Sequence, residues 1–153
     1  MSIRLLARAV VVGALISSGQ GVFAAPAGRV VALTANDQMK FNVMAITAKP
    51  GEMLHVKLKS VGTLPKIAMG HNFVLLAKGT DAVAFTNASP MASATAYIPA
   101  QFKAKVLAST PVAGPGETVE VTFKAPTAPG RYVYLCSFPG HFAAGMKGVL
   151  TVK

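Results

Sequence analysis

Cys136-Ser137-Phe138-Pro139-Gly140-His141-Phe142-Ala143-Ala144-Gly145-Met146 lies between two short runs rich in Val, Leu and Tyr, Arg131–Cys136 and Gly148–Lys153. A thiol, an imidazole and a thioether are thus strung along one loop between two candidate strands, in the spacing Cys-x4-His-x4-Met. Upstream, three turns share a form: Lys49-Pro50-Gly51-Glu52, Gly114-Pro115-Gly116-Glu117 and Ala128-Pro129-Gly130-Arg131. Each launches a strand-like run. Leu54, Val56 and Leu58 alternate with His55, Lys57 and Lys59, and Val119, Val121 and Phe123 alternate with Glu120 and Thr122, the period-two pattern of half-buried strands.

Arg29–Thr34 and Phe73–Ala77 are further short apolar runs. Many short strands separated by turn signals predict an all-β chain folded as a Greek-key β-sandwich. The exception is Thr80 to Lys105, rich in Ala, Ser and Thr and interrupted by Pro90 and Pro99, where no strand period exists and a short helical excursion is expected. No internal repeat and no second domain boundary is visible.

The chain has 153 residues, 52% of them hydrophobic and 13% charged, which fits one globular domain and is too apolar for a disordered chain. A single cysteine excludes an intramolecular disulfide, a CxxC redox pair and a four-cysteine zinc site. The first 24 residues read as a secretory signal, leaving a domain over 25–153: Arg4 and Arg8 form a basic start, and Ala9 to Ile16 is apolar but far short of the roughly 20 residues of a membrane span. Val22-Phe23-Ala24 supplies the small residues of a cleavage site. Export to the periplasm is expected, without stable membrane insertion. The excess of 15 Lys+Arg over 5 Asp+Glu raises nucleic acid as a partner, but the lysines are scattered from Lys40 to Lys153 with no aromatic interleaving, so none is expected.

Thiolate, imidazole and thioether together form a soft donor set, which selects copper over magnesium, calcium or manganese. A trigonal plane needs one more ligand, and His55 and His71 are the remaining histidines. His55 alternates with lysines on the polar side of its strand. His71, in Met69-Gly70-His71-Asn72-Phe73-Val74-Leu75, stands at the entry to an apolar strand and is the expected third ligand.

These stretches, with Asn36-Asp37-Gln38-Met39-Lys40-Phe41-Asn42 and Leu64-Pro65-Lys66, resemble the azurin-type blue copper proteins within the cupredoxins. The resemblance implies a periplasmic type 1 copper protein that shuttles single electrons and is not an enzyme. Its pattern makes His71, Cys136 and His141 equatorial ligands and Met146 the axial one, and puts the Gly70 carbonyl on the opposite side. It also implies that the Asn72 and Phe138 amides donate to the Cys136 sulfur. Electrons would leave by the exposed edge of His141, within a docking patch matched to Met39, Leu64, Ala68, Met69, Phe138, Pro139, Ala143 and Ala144. The implied partners are redox proteins such as c-type cytochromes, or a copper or haem reductase or oxidase.

Two features depart from the azurin pattern. Azurins usually have three residues between the loop histidine and the methionine, whereas this chain has four, as in auracyanin and rusticyanin. They usually also carry a disulfide near the N-terminus; here Arg29 and Glu52 fall near those positions and are expected to form an ion pair instead. Other readings of the loop explain less. A Cys136–His141 nucleophile and base would leave Met146 and His71 unused, and no acidic residue follows Glu120 to orient such a histidine. Zinc disfavours a thioether. A multicopper oxidase would want His where Ser137 stands, a binuclear oxidase site would want a second Cys, and a copper chaperone would exchange its metal readily.

Overall fold

Proline–glycine turns cut the chain into strands because the residue after proline must take positive φ, which glycine adopts without a Cβ penalty. Gly51 (φ 71°) and Gly116 (φ 74°) do so, and the turns close by Glu52 N–H to the Lys49 carbonyl (3.1 Å) and Glu117 N–H to the Gly114 carbonyl (3.0 Å). The computed structural model describes residues 28–153; the proposed signal, residues 1–24, lies outside the described residues.

Among the described residues, nine strands form two mixed sheets: β1 (Arg29–Asn36), β2 (Lys40–Phe41), β3 (Ala45–Ala48), β4 (Met53–Ser60), β5 (Val74–Leu76), β6 (Val106–Ser109), β7 (Thr118–Lys124), β8 (Gly130–Leu135) and β9 (Lys147–Val152). The first sheet runs β2-β1-β4-β7 and the second β3-β9-β8-β5-β6. Pairing is antiparallel except for β1 with β4 and β3 with β9, which are parallel. The expected β-sandwich is therefore present.

The period-two residues do what the pattern predicts in β4, where Leu54, Val56 and Leu58 are fully buried and His55, Lys57 and Lys59 are not. Each such burial stabilises by about 1.5–3 kcal/mol. They share one core with Phe73, just before β5, and with Leu75, Tyr132, Tyr134 and Leu150 of the second sheet. β7 departs from half-burial: Val119, Val121 and Phe123 are only partly covered, because β7 is an edge strand with β4 as its one sheet neighbour.

The excursion holds helix α2 (Ala82–Ala88) and two 3-10 helices, Ser89–Thr95 and Ala100–Lys105. The Asp81 carboxylate caps α2 by accepting the Val83 (2.9 Å) and Ala84 (3.0 Å) amides. Phe85 and Phe102 pack edge to face over Val74 and Leu76, so the excursion covers the outer side of the second sheet. That is why β5 is buried along its whole length: Leu75 enters the main core while its two neighbours enter the second one.

The expected ion pair is formed. Arg29 Nε donates to Glu52 Oε1 at 2.5 Å, and its Nη2 donates to the Thr47 carbonyl at 2.6 Å, tying β1 to β3 across the sandwich. This bond and the Lys49 amide hold the Glu52 carboxyl below its ordinary range. Exposed pairs of this kind contribute about 0–1 kcal/mol.

Candidate metal centre

The loop ends are fixed by adjoining strands, since Leu135 at the end of β8 pairs with Lys147 at the start of β9. Beyond that pair the Cys136 amide donates to the Met146 carbonyl (3.1 Å) and the Met146 amide to the His141 carbonyl (2.9 Å). Cys136, His141 and Met146 are thereby held by backbone bonds before any metal is considered. The four residues between His141 and Met146 coil into a turn, with the Ala144 amide on the Gly140 carbonyl (3.0 Å) and the Gly145 amide on the Phe142 carbonyl (2.9 Å). Gly145 at φ 93° lets the chain turn back toward β9. The Lys40 ammonium donates to the Ala144 carbonyl at 2.5 Å, bracing the turn from outside.

A single helical turn, α1 (Lys66–Met69), delivers Gly70 and His71. A Cβ on Gly70 would stand 2.5 Å from Val112 Cγ1 and 2.7 Å from the Lys66 carbonyl oxygen, so only glycine fits there. His71 exchanges both backbone hydrogen bonds with Ala113 (3.0 and 2.7 Å). The side chains of His71, Cys136 and His141 converge: their donor atoms lie within 4.8 Å of one another, and Cys136 Sγ is 3.4 Å from His141 Nδ1. All three residues are buried, as is Met146. His55 is elsewhere, bonded through Nε2 to Glu120 at 2.9 Å on the outer face of the first sheet.

The electrostatics follow from burial. Desolvation pushes the Cys136 thiol up to about 12, outweighing the Asn72 and Phe138 amides that donate to its sulfur. Both donors are those the resemblance implies. Burial, with His71 adding to it, brings His141 down to about 4, and burial lowers His71 against an opposing pull from the Asp37 carboxylate. At neutral pH the cluster therefore holds two neutral imidazoles and a thiol, with no carboxylate among its donors.

These residues fit a soft metal ion. Neither ring nitrogen of His71 has a hydrogen-bond partner although the residue is fully buried, and an unsatisfied buried polar atom costs about 1–3 kcal/mol. Coordination by a neutral imidazole nitrogen relieves that cost. One thiol and two imidazoles, with a buried thioether on the same loop, are a copper-selective set.

Around the donors, the Asn72 side chain joins the two ligand-bearing segments. Its Oδ1 accepts the Ser137 amide (2.8 Å), and its Nδ2 donates to Ser137 Oγ (2.8 Å) and to the Ala96 carbonyl (2.8 Å). Sequence reasoning missed Ser137, Ala96 and Tyr97 as neighbours of the site. A hydroxyl directly after the loop cysteine was the one available signal; the other two reach the loop only through the tertiary fold.

The expected docking residues are unevenly exposed. Leu64, Ala68, Pro139 and Ala143 are exposed, whereas Met39, Met69 and Ala144 are half-buried. The expected histidine edge is narrow: His141 is 2% exposed and Phe138 8%, and the Phe138 ring lies against the imidazole at 4.8 Å. Ile67, unforeseen, is 90% exposed.

A family model described as copper binding proteins, plastocyanin/azurin family, matches residues 29–153. The azurin of Pseudomonas fluorescens biotype C is 37% identical over 126 residues, spanning 80% of this chain and 97% of that protein. Auracyanin-B of Chloroflexus aurantiacus is 35% identical over 128 residues, 83% of this chain but 53% of that longer protein. Among solved structures, auracyanin A, a "blue" copper protein of Chloroflexus aurantiacus, superimposes with a TM-score of 0.73 at 31% identity, covering 82% of this chain and 98% of that one.

Proposed function

Since the chain belongs to the plastocyanin/azurin family of copper-binding proteins, whose azurins and auracyanins are electron carriers and not enzymes, we propose that it is a periplasmic type 1 copper protein passing single electrons between redox proteins. In this reading His71, Cys136, His141 and Met146 would hold the copper, with the Gly70 carbonyl as a further oxygen donor beside them. The observation that carries the reading is the meeting of three buried donors from distant segments, with both His71 nitrogens otherwise unpartnered. Copper supplies a one-electron Cu(I)/Cu(II) couple when bound.

What the chain contributes is a fixed and dry coordination shell. Backbone bonds hold the loop, and Asn72 ties it to the His71 segment, so the donors need little rearrangement when the charge changes. One ionised sulfur is the only negative charge they offer, so a singly charged ion is neutralised and a doubly charged ion leaves one uncompensated buried charge. That imbalance, and the two amides on the sulfur, favour the reduced state. The partners proposed are c-type cytochromes or a copper or haem reductase or oxidase, met through Leu64, Ala68, Pro139 and Ala143 beside the half-buried Met39, Met69 and Ala144. A small apolar patch suits a transient encounter. The proposed leader over residues 1–24 supports export, and no helix among the described residues is long and apolar enough to cross a membrane.

Visible absorption and EPR spectra of the protein with one equivalent of Cu(II) test the assignment. An intense blue thiolate-to-copper band with narrow hyperfine splitting is expected; an ordinary tetragonal signal would overturn it.

Metal uptake should also depend on pH with a defined sign. The thiol sits near 12 and must lose its proton on binding, whereas His141, near 4, is already neutral. His71 is held below its ordinary 6.5, so apparent Cu(I) affinity of the copper-free protein should rise about tenfold per pH unit between pH 6.5 and 8, with one proton released per ion. Competition against a chelator of known affinity at each pH measures this, and a flat profile would contradict a thiol ligand protonated in the free protein.

A further inference from the structure

The excursion ends its first 3-10 helix in an unusual way. Ala96 (φ 53°) and Tyr97 (φ 61°) are consecutive non-glycine residues in the left-handed region, a conformation that costs free energy and persists only when its surroundings enforce it. Part of what holds it lies in the excursion itself, and the rest leads to the metal loop and the His71 segment. The Ala96 carbonyl accepts from Asn72 Nδ2 (2.8 Å) and Ser137 Oγ (3.3 Å). The Tyr97 amide is held by the Ala92 carbonyl (2.8 Å), and its ring meets Phe138 edge-on at 4.9 Å and 60°. Phe138 in turn lies against His141 at 4.8 Å, and its own amide donates to the Cys136 sulfur.

We propose that the Ala96–Tyr97 tip is a clamp on the copper loop, with Tyr97 a positioning residue that seats the Phe138 ring against His141 and keeps water from that side of the site. The clamp deepens the copper reading and rests on it for its effect on potential, though not for its effect on the loop. Tyr97 lines a surface groove with Lys66, Ile67, Ser93, Val112 and Phe138. Phe138, which shields His141, lines that groove beside the tyrosine, and loss of the tyrosine ring widens the groove over the face of Phe138 that the ring now covers. Hydration there would favour the more highly charged oxidised state, because the apolar shell of a metal site sets its dielectric.

The test compares wild type with Tyr97→Ala, Tyr97→Leu and Tyr97→Phe. In copper-free protein, hydrogen exchange at the Ser137 and Phe138 amides should accelerate about tenfold in the alanine and leucine variants and stay at the wild-type rate with phenylalanine. In the copper-loaded proteins, the preference for Cu(I) over Cu(II) should fall about tenfold in the same two variants, a potential lower by about 59 mV for one electron. The leucine variant keeps the test open if the alanine protein does not fold. A lower melting temperature with unchanged exchange and potential would reduce Tyr97 to a packing residue and overturn the proposal. Faster exchange and a lower potential in Tyr97→Phe as well would overturn it too, since the phenol and not the ring would then matter. A wild type without the blue band would refute the copper reading while leaving the exchange experiment to decide the clamp.

Discussion

Cys136→Ser protein is expected to lose the intense visible band completely and to bind copper at least about a hundredfold more weakly, the upper end of what disturbing an outer-shell partner alone does. The reason is chemical before it is geometric. The thiol must ionise to bind, and although burial raises it to about 12, a serine hydroxyl in the same place is a far weaker acid and stays protonated. The fold should survive. Serine oxygen can still accept the Asn72 and Phe138 amides that now meet the sulfur, so the buried polar atom is not orphaned. Far-ultraviolet circular dichroism near that of wild type, together with copper titration, separates loss of the ligand from loss of structure. A variant that kept the blue band would remove Cys136 from the site.

Gly148→Ala should be the most damaging small substitution in the scaffold. Gly148 pairs with Tyr134 across β8 and β9, and a methyl group there would fall within the van der Waals envelope of Tyr134 Cζ and Oη and stand 2.7 Å from the Met44 carbonyl oxygen. Tyr134 cannot step aside cheaply. It is fully buried, packs on Phe41 and Phe73, and donates its hydroxyl to the Val43 carbonyl at 2.6 Å. Overpacking and the loss of that buried bond together should remove about 3 kcal/mol, lowering Tm by about 10 °C in a domain of this size. Thermal unfolding measures it. An unchanged Tm would mean that the β3–β9 edge relaxes to accept the methyl group.

Much of this was legible in the sequence because it is local. The Cys136–Met146 loop carries three of the proposed ligands within one connection, and the alternation of Leu54, Val56 and Leu58 declares a face without knowledge of the partner sheet. His71 was separable from His55 because strand period puts the latter with Lys57 and Lys59. The rest depended on tertiary context. β2, β3 and β6 have two to four residues each, too few to show a period, and exist because neighbours distant or irregular in sequence pattern pair with them: β1 with β2, β9 with β3 and β5 with β6. Val74-Leu75-Leu76 reads as an apolar run without alternation, since the excursion buries its second face. Nothing in Ala96-Tyr97 announces a left-handed tip: neither residue prefers it, and the Asn72 and Ser137 partners that hold Ala96 are distant in sequence. The near-complete cover over His141 escaped notice for the same reason.

Strand order also sets when the donors can meet. β9 sits between β3 and β8, and its parallel partner is far away along the chain, with Ala45 opposite Val149. Pairings at such separation form slowly, because loop-closure entropy is lost before contacts reward it. Until β9 docks, β3 lacks its parallel partner, β8 has an open edge, and the loop bearing His141 and Met146 is tethered at one end only. A chain in which β9 has not yet docked would therefore hold its single thiol exposed and its ligands apart, and would gather them as that strand pairs. Metal offered before that moment meets isolated side chains, and metal offered afterwards meets a closed, preassembled shell.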